Sequence, residues 1–303
     1  MARKEVKNKG LSWHHVSAYT DADLEFLQKN FKFHPLDFDD LRNFTELPKL
    51  DVYKHYIFAI FSIPYFNAET KRVEKSDVGF FVGDDYVVTV TREKLDVIDR
   101  YFSRVSRSIG LKRDVLSKSA GYFVYKLLDY AFRDAKSVLQ VLVRDTTSIE
   151  EELQEFHNKE TTRKLGSLRR NLLFMRHVVD PQRIIISQLI NTRISFIPTD
   201  LNVYFDDLKD TLDGMWVVAD NLKNIIDGLF DVNEALLTHR TNEIIRMLTV
   251  ISVILMPPTL IASYYGMNVQ DLPYDHDIGI VSAVIAASLI GFWILVWWID
   301  KRK

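Results

Sequence analysis

Between Met247 and Ile299 the chain reads MLTVISVILMPPTLIASYY (247–265), GMNVQDLPYDHD (266–277) and IGIVSAVIAASLIGFWILVWWI (278–299), and this stretch decides the architecture. Neither apolar run carries a formal charge. At an α-helical rise of about 1.5 Å per residue, each is long enough to cross a hydrocarbon core about 30 Å thick. The short polar segment between them predicts a helical hairpin with a tight outer loop. No Lys or Arg occurs between Met247 and Asp300, whereas Arg240 and Arg246 precede the first run and Lys301, Arg302 and Lys303 follow the second. Basic flanks stay on the cytoplasmic side, so both termini are expected inside, in a multi-pass protein of the inner (plasma) membrane. The outer loop then presents Asp271, Asp275 and Asp277 without a basic residue, and an acidic mouth concentrates cations.

Upstream lies the most regular pattern in the sequence. Leu201, Phe205, Leu208, Leu212, Met215, Ala219, Leu222, Ile226 and Leu229 alternate steps of four and three, a heptad-like seam that continues through Leu236 into the first apolar run. An unbroken helix from Leu201 to Tyr265 would be roughly 95 Å long by the α-helical rise. With one apolar seam it cannot stand alone in water and must pack on the soluble domain, on copies of itself, or on both. Two membrane helices per chain cannot enclose an ion path. Several copies around an axis can, with the first helix inside. Asn242, Ile245, Leu248 or Thr249, Ser252, Met256 and Thr259 then fall on one helical stripe.

The remainder reads as a soluble domain. Across 303 residues, 39 Lys+Arg stand against 41 Asp+Glu, a formal charge of −2 that gives no nucleic-acid signal. The absence of cysteine excludes disulfides and thiolate metal sites. The charged start, Met1 to Lys7, lacks the apolar core of a signal peptide, so this part is expected in the cytoplasm. Leu11 to Ala18 has the length of a strand, and acidic residues from Asp21 onward mark a helix start. Leu50 to Phe66, Asp77 to Val82 and Tyr86 to Val90 are strand-rich, with turn material at 67–70. Arg92 to Ile109 and Asp114 to about His157 show helical spacing.

The predicted fold is an α+β cytoplasmic domain, αβα layered with a mainly antiparallel sheet, followed by a long stalk helix and a two-helix transmembrane hairpin. The acidic stretch Ile149 to Phe156 and the basic stretch Thr162 to Arg170 are expected to pair as antiparallel arms, reversing near His157 to Thr161. Pro181 is expected to interrupt or start a helix, and His14-His15 reads as strand surface rather than a metal site. The division expected is 1–160 for the domain with its helical arm, 161–246 for arm and stalk, 247–265 and 278–299 for the spans, 266–277 for the outer loop and 300–303 for a basic tail.

The segment from Thr241 to Asn268, with Met256-Pro257-Pro258-Thr259 and Tyr264-Tyr265-Gly266-Met267-Asn268, resembles the pore helix and Gly-Met-Asn signature of CorA-type divalent cation channels. His34-Pro35-Leu36 resembles the helix entry of the same family. The resemblance implies a funnel-shaped homopentamer that passes Mg2+ down its electrochemical gradient, with Mg2+ also a regulatory ligand and Co2+ or Ni2+ as further cargo. It implies a filter at Gly266, Met267 and Asn268. Asn242, Leu248, Met256 and Thr259 match pore-facing positions, Ile245 matches a constriction, and Thr249 and Ser252 share the stripe. Asp231 matches the cytoplasmic pore entrance and Asp207 an inter-subunit Mg2+ sensor. The sensor's partner carboxylate is expected from the N-terminal domain, with Asp37, Asp39, Asp40 and the Asp84-Asp85 turn as candidates. Pro257-Pro258 departs from the commoner single proline and is a place for a sharper kink.

The chemistry suits these residues. Mg2+ demands octahedral oxygen coordination and releases water reluctantly, so a filter that binds the hydrated ion avoids that cost. A ring of Asn268 amide oxygens accepts hydrogen bonds from bound water without the full charge that would hold a dication too long. Gly266 permits close approach at the helix end. Met267 is a packing residue, because thioether sulfur is soft and Mg2+ is hard. No phosphate-binding loop, Gly-x-Ser-x-Gly or His-Glu-x-x-His pattern occurs, so no enzyme is expected. Two other readings stand beside this one: a zinc, cobalt or nickel transporter of the same superfamily, and a membrane-anchored scaffold.

Overall fold

The computed structural model describes residues 3–8, 10–43, 48–155, 159–192, 194, 196–267 and 277–301. The chain divides into two compact units, residues 1–230 and 231–303. In the first, β1 (Arg3–Asn8), β2 (Leu11–Ser17), β3 (Lys49–Val52), β4 (Ile57–Asn67), β5 (Arg72–Val82) and β6 (Tyr86–Thr91) form a sheet in the order β1-β2-β6-β5-β4-β3. The β2–β6 pair is parallel and the other four pairs are antiparallel, so the sheet is mixed. Strand β1 escapes sequence reading because its RKEVKN segment buries only Val6 and shows no apolar alternation. The strand-rich stretch from Leu50 to Phe66 is two strands: a turn closed by the Tyr53 amide on the Tyr56 carbonyl (2.9 Å) reverses the chain between β3 and β4.

Period-two alternation assigns each strand residue to one of two cores. On β4, Ile57, Ala59, Phe61 and Ile63 enter the larger core, while Phe58 and Ile60 enter the smaller. The smaller core is capped by α1 (Asp21–Asn30) and α2 (Pro35–Asn43), through Leu24, Leu27, Phe38 and Leu41. The larger is covered by α3 (Asp96–Arg107), α4 (Ile109–Leu116), α5 (Ala120–Glu155), α6 (Lys159–Asn191) and the start of α7 (Asn202–Tyr265). The expected αβα layering follows. Gly79 is needed where α2 meets the sheet, because a Cβ there would collide with the Leu41 side chain.

His15 is fully buried, contrary to its reading as strand surface; only His14 is partly exposed. Its Nδ1 lies 2.8 Å from Thr89 Oγ1, which also accepts the Trp13 indole N–H at 2.9 Å. The His15 Nε2 faces Asp99 across 3.6 Å, and Lys4 (2.6 Å) and Ser17 (2.9 Å) donate to the same carboxylate. His15, reinforced by Lys4 and Ser17 against the opposing effect of burial, holds the Asp99 carboxyl well below the usual range. Burying the ring inward links the sheet to α3.

Helix α6 runs through Pro181 without interruption. An interior proline costs about 3 kcal/mol, so surrounding contacts must hold the helix. Gln182, fully buried, donates its amide to the Val178 carbonyl (3.1 Å) and to the Ser62 carbonyl on β4. Asn171 accepts from the Val73 amide (3.1 Å) and donates to the Lys71 carbonyl (3.0 Å), pinning α6 to β5 a second time.

All nine seam residues from Leu201 to Leu229 are buried, none above 9 % exposed, so this part of the seam packs on the domain. Among the described residues the acidic and basic arms are joined by the ion pair Lys164–Glu152 (2.8 Å). Arg169 turns instead to α7. Arg169, Arg176 and Arg183 recur every seven residues and pair with Asp227 (3.2 Å), Asp220 (3.1 Å) and Asp213, which recur every seven in the opposite direction. This ladder fits two antiparallel helices. The Trp216 ring lies under both Arg176 and Arg183, at 5.5 and 5.1 Å. Of the reversal expected near His157 to Thr161, residues 157 and 158 lie outside the described residues, and 159–161 already belong to α6.

In the second unit, α7 and α8 (Ile278–Asp300) each carry a window apolar enough to cross a membrane, with mean hydropathy 2.0 and 2.4. Helix α7 continues through Pro257 and Pro258.

Replacing Arg176 and Asp220 singly and together with Ala is expected to give a coupling energy of about 0.5–1 kcal/mol in a chemical-denaturation cycle, the range for half-exposed pairs. Zero coupling would remove the ladder's role in register. Because the Asp99 pKa is depressed in the folded chain, its contribution to stability is present above the unfolded carboxyl pKa of about 3.9 and is lost as pH falls below it. Asp99→Asn is therefore expected to flatten the acid limb of a stability-versus-pH curve. Gly79→Val is expected to cost about 1–3 kcal/mol by overpacking against Leu41, read as a lower denaturation midpoint.

Candidate functional site

The stripe Asn242, Ile245, Leu248, Thr249, Ser252, Met256 and Thr259 lies on α7 in the second unit, and every one of these side chains is exposed. So is Ile244 on a neighbouring face, and Leu260 is 71 % exposed, so the helix is apolar on more than one side. The hydroxyls of the stripe are satisfied within the helix. Thr249 donates to the Ile245 carbonyl (2.8 Å), Ser252 to Leu248 (2.8 Å) and Thr259 to Leu255 (2.7 Å). With the proton turned inward, each oxygen presents its lone pairs outward as an acceptor. Acceptors separated by Ile245, Leu248 and Met256 suit an ion whose shell of water donates hydrogen bonds.

Tyr264 and Tyr265 end α7 with their rings edge to face at 5.7 Å. The Gly266 amide donates to the Ala262 carbonyl (3.0 Å), and a Cβ on Gly266 would sit 3.2 Å from that oxygen. Met267 is exposed. Asn268, Asp271 and Asp275 lie outside the described residues. Asp277 has a structural part that the acidic-loop reading missed: its backbone and side-chain oxygens accept from the Ile280 amide at 3.1 and 3.4 Å, as an N-cap of α8. An Asp directly before an apolar run was the available signal.

At the other end of the stripe, Asp231 and Asn242 share an open concavity with Glu234, Ala235, Thr238 and His239. Glu234, Thr238 and His239 were not singled out from sequence, although 231, 234, 238 and 242 keep the same three-and-four spacing. At the far end of α8, Lys301 lies 5.0 Å from the Trp297 ring, a pairing of cation and aromatic typical of a membrane interface.

In the first unit, Asp207 is exposed on α7 and accepts a long hydrogen bond (3.4 Å) from Tyr125. Burial, then the charges of Asp129 and Asp207, pushes the Tyr125 hydroxyl up to about 12. The N-terminal candidates separate by environment. Asp37 is fully buried and accepts from Tyr53 (2.7 Å) and Tyr56 (2.6 Å), with burial raising its pKa. Asp40 and Asp51 share Lys49 at 2.6 and 2.7 Å, and ligand atoms of Asp37, Asp40 and Asp51 lie within 4.8 Å of one another. Asp39 is exposed beside Arg42 (3.2 Å). Asp84 and Asp85 sit in the exposed β5–β6 turn.

Residues 8–302 match the family model described as "CorA-like Mg2+ transporter protein". The cobalt/magnesium transport protein CorA of Thermotoga maritima is 28% identical over 90% of this chain and 77% of its own length. The zinc transport protein ZntB of Photorhabdus laumondii is 18% identical over 78% of this chain and 71% of its own. In fold, the chain is similar to the complete structure of the CorA magnesium transporter from Methanocaldococcus jannaschii, with TM-score 0.79, 19% identity, and 96% and 91% of the two chains covered. An apolar helix pair, a stripe of outward acceptors and a match across nearly the whole chain converge: this protein belongs to the CorA-like Mg2+ transporter family and is a divalent cation transporter, not an enzyme.

Proposed function

We propose that the chain is a Mg2+ channel of the inner membrane, assembled from several copies, with a pentamer as the expected state and both ends of each chain in the cytoplasm. The observation that carries this reading is the α7 stripe, which alternates outward hydroxyl and amide acceptors with apolar side chains and runs into a stretch, 247–265, without charge. One helix cannot shield such a stripe from lipid; a ring of helices encloses it. Hydrated Mg2+ meets Asn268 amides at the outer mouth, passes Thr259, Ser252, Thr249 and Asn242, and leaves past Asp231. Ile245, Leu248 and Met256 narrow the path and close it by dewetting. An inside-negative potential supplies about 2.3 kcal/mol per elementary charge per 100 mV, and twice that for a dication. No nucleotide is needed.

Gating by cytoplasmic Mg2+ extends the reading. Asp207 of one copy and Asp40 or Asp39 of another would share the ion. Asp40 is preferred for its place beside Asp51, and Asp37 is unsuited because two tyrosines already occupy its oxygens. A zinc, cobalt or nickel cargo is the second reading, favoured by the likeness to ZntB.

Purified protein in liposomes is expected to pass Mg2+ down a gradient, and Asn268→Ala to lower that flux by at least tenfold. Undiminished, selective flux in the variant would remove Asn268 from the filter. Competition with Zn2+, with and without a pH gradient, separates the two cargo readings. Asp207→Asn is expected to shift closure to higher internal Mg2+; an unchanged closing concentration would remove Asp207 from the sensor.

A further inference from the structure

Pro257 and Pro258 stand side by side in the middle of the first span, and α7 continues through both. Proline has no N–H to donate. A helical carbonyl takes its donor from the residue four places on, or three places on where the helix tightens. For Ile254 those residues are Pro258 and Pro257, so its carbonyl loses both donors, whereas a single proline would remove only one. The next amide, that of Thr259, serves Leu255 in the α-helical pattern. Hydrocarbon holds no water to make up the loss, and a backbone acceptor left alone in it is costly. The donor to Ile254 has to come from outside its own helix.

The second span carries a hydroxyl at the matching level. Pro258 is buried and Ile254 and Ile261 are partly buried on α7, as are Ile285, Ser288 and Phe292 on α8, while the stripe on the other side of α7 is exposed. Among the described residues of this unit, each span has only the other to shield it, so these faces meet. Run antiparallel, they set Ile261 opposite Ile285, Pro258 opposite Ser288 and Ile254 opposite Phe292. Helical carbonyls point toward the C-terminal end, so that of Ile254 reaches forward to the level of Pro258 and Ser288. Ser288 Oγ donates to the Ile285 carbonyl at 2.8 Å. That oxygen already has the α-helical donor of Leu289, so the hydroxyl is surplus there and wanted at Ile254. We propose that Ser288 is a positioning residue for the first span: its hydroxyl turns from Ile285 to the Ile254 carbonyl and ties α7 to α8 at the proline pair. One rotation about χ1 moves the proton, and α8 gives up none of its backbone bonds. Because the stripe faces away from α8, a tie on the back of α7 fixes the helix about its own axis, and with it the direction of Ser252, Met256 and Thr259. The effect on flux rests on the channel reading above; the tie does not.

The test uses the full chain in nanodiscs. It has no cysteine, so introduced pairs report alone. Ile261→Cys with Ile285→Cys is expected to form an intrachain disulfide under a mild oxidant, and Ile261→Cys with Ala287→Cys is not; the reverse would overturn the facing of the two spans. Ser288→Ala is expected to lower the thermal midpoint by about 1–3 °C and Ser288→Thr to hold it. Pro258→Leu returns an N–H to Ile254, so in that background Ser288→Ala is expected to cost nothing further. An equal drop in both backgrounds, or none in either, would overturn the tie. In liposomes Ser288→Ala is expected to lower Mg2+ flux about threefold, the factor for one interhelical hydrogen bond in a membrane, and Ser288→Thr to restore it. Unchanged flux in Ser288→Ala would overturn the positioning role. If wild-type liposomes pass no Mg2+, the channel reading fails, and the midpoints decide the tie by themselves.

Discussion

The burial of one stripe of α7 against the sheet-bearing domain is the constraint on which the first unit depends. Leu208, Leu212, Phe205 and Ile226 have no exposed surface, and burying each such side chain contributes about 1.5–3 kcal/mol. The Arg–Asp pairs beside them contribute at most about 1 kcal/mol each, because both partners still see water. Apolar contact therefore holds α7 in place, and charge chooses its register. A shift of one turn would leave three arginines and three aspartates out of step, at little cost per pair but in the same direction for all. Asn171 and Gln182 do the same for α6 against the sheet by bonding to strand backbone.

Beyond Asp231 the same kind of helix meets a different demand. Its side chains are exposed on all sides and apolar on most, which water does not tolerate over such an area. Lipid tolerates the apolar faces but not free hydroxyls, so Thr249, Ser252 and Thr259 donate to their own helix. That arrangement leaves acceptors without donors on one stripe. An ion that keeps its water brings the donors with it, which is why a stripe of weak, neutral acceptors suits a strongly hydrated dication. On this part of α7 full charges appear only where water returns, at Asp231, Glu234, Arg240, Glu243 and Arg246.

The acidic groups of the domain illustrate why a carboxylate's number in the sequence says little about its availability. Asp37 and Asp40 are three residues apart on α2. One is sealed under two tyrosine hydroxyls and the other faces Lys49 near the surface. Lys49 holds its proton strongly despite burial, through Asp40 and Asp51. A cation entering this corner has to compete with an ammonium already there.

Much of the architecture was legible beforehand. Two uncharged runs of spanning length, the three-and-four seam from Leu201 to Leu229 and the period-two strands each depend on local periodicity, which sequence displays directly. Asn242 to Thr259 could be aligned on one face for the same reason. What sequence could not reveal were contacts between residues far apart in the chain: the parallel β2–β6 pairing, the burial of His15 against Asp99, the turning of Arg169 from α5 to α7, and the continuity of α6 through Pro181. Each of these is decided by which surface comes to lie opposite. A proline or a histidine carries only a local preference, worth about 3 kcal/mol or less, and a packed interface supplies more than that. The apolar runs at 247–265 and 278–299 were determined by sequence alone, because hydrocarbon thickness is a property of the solvent; the partners of Asp40, Asp99 and Asp227 were decided only when the chain folded.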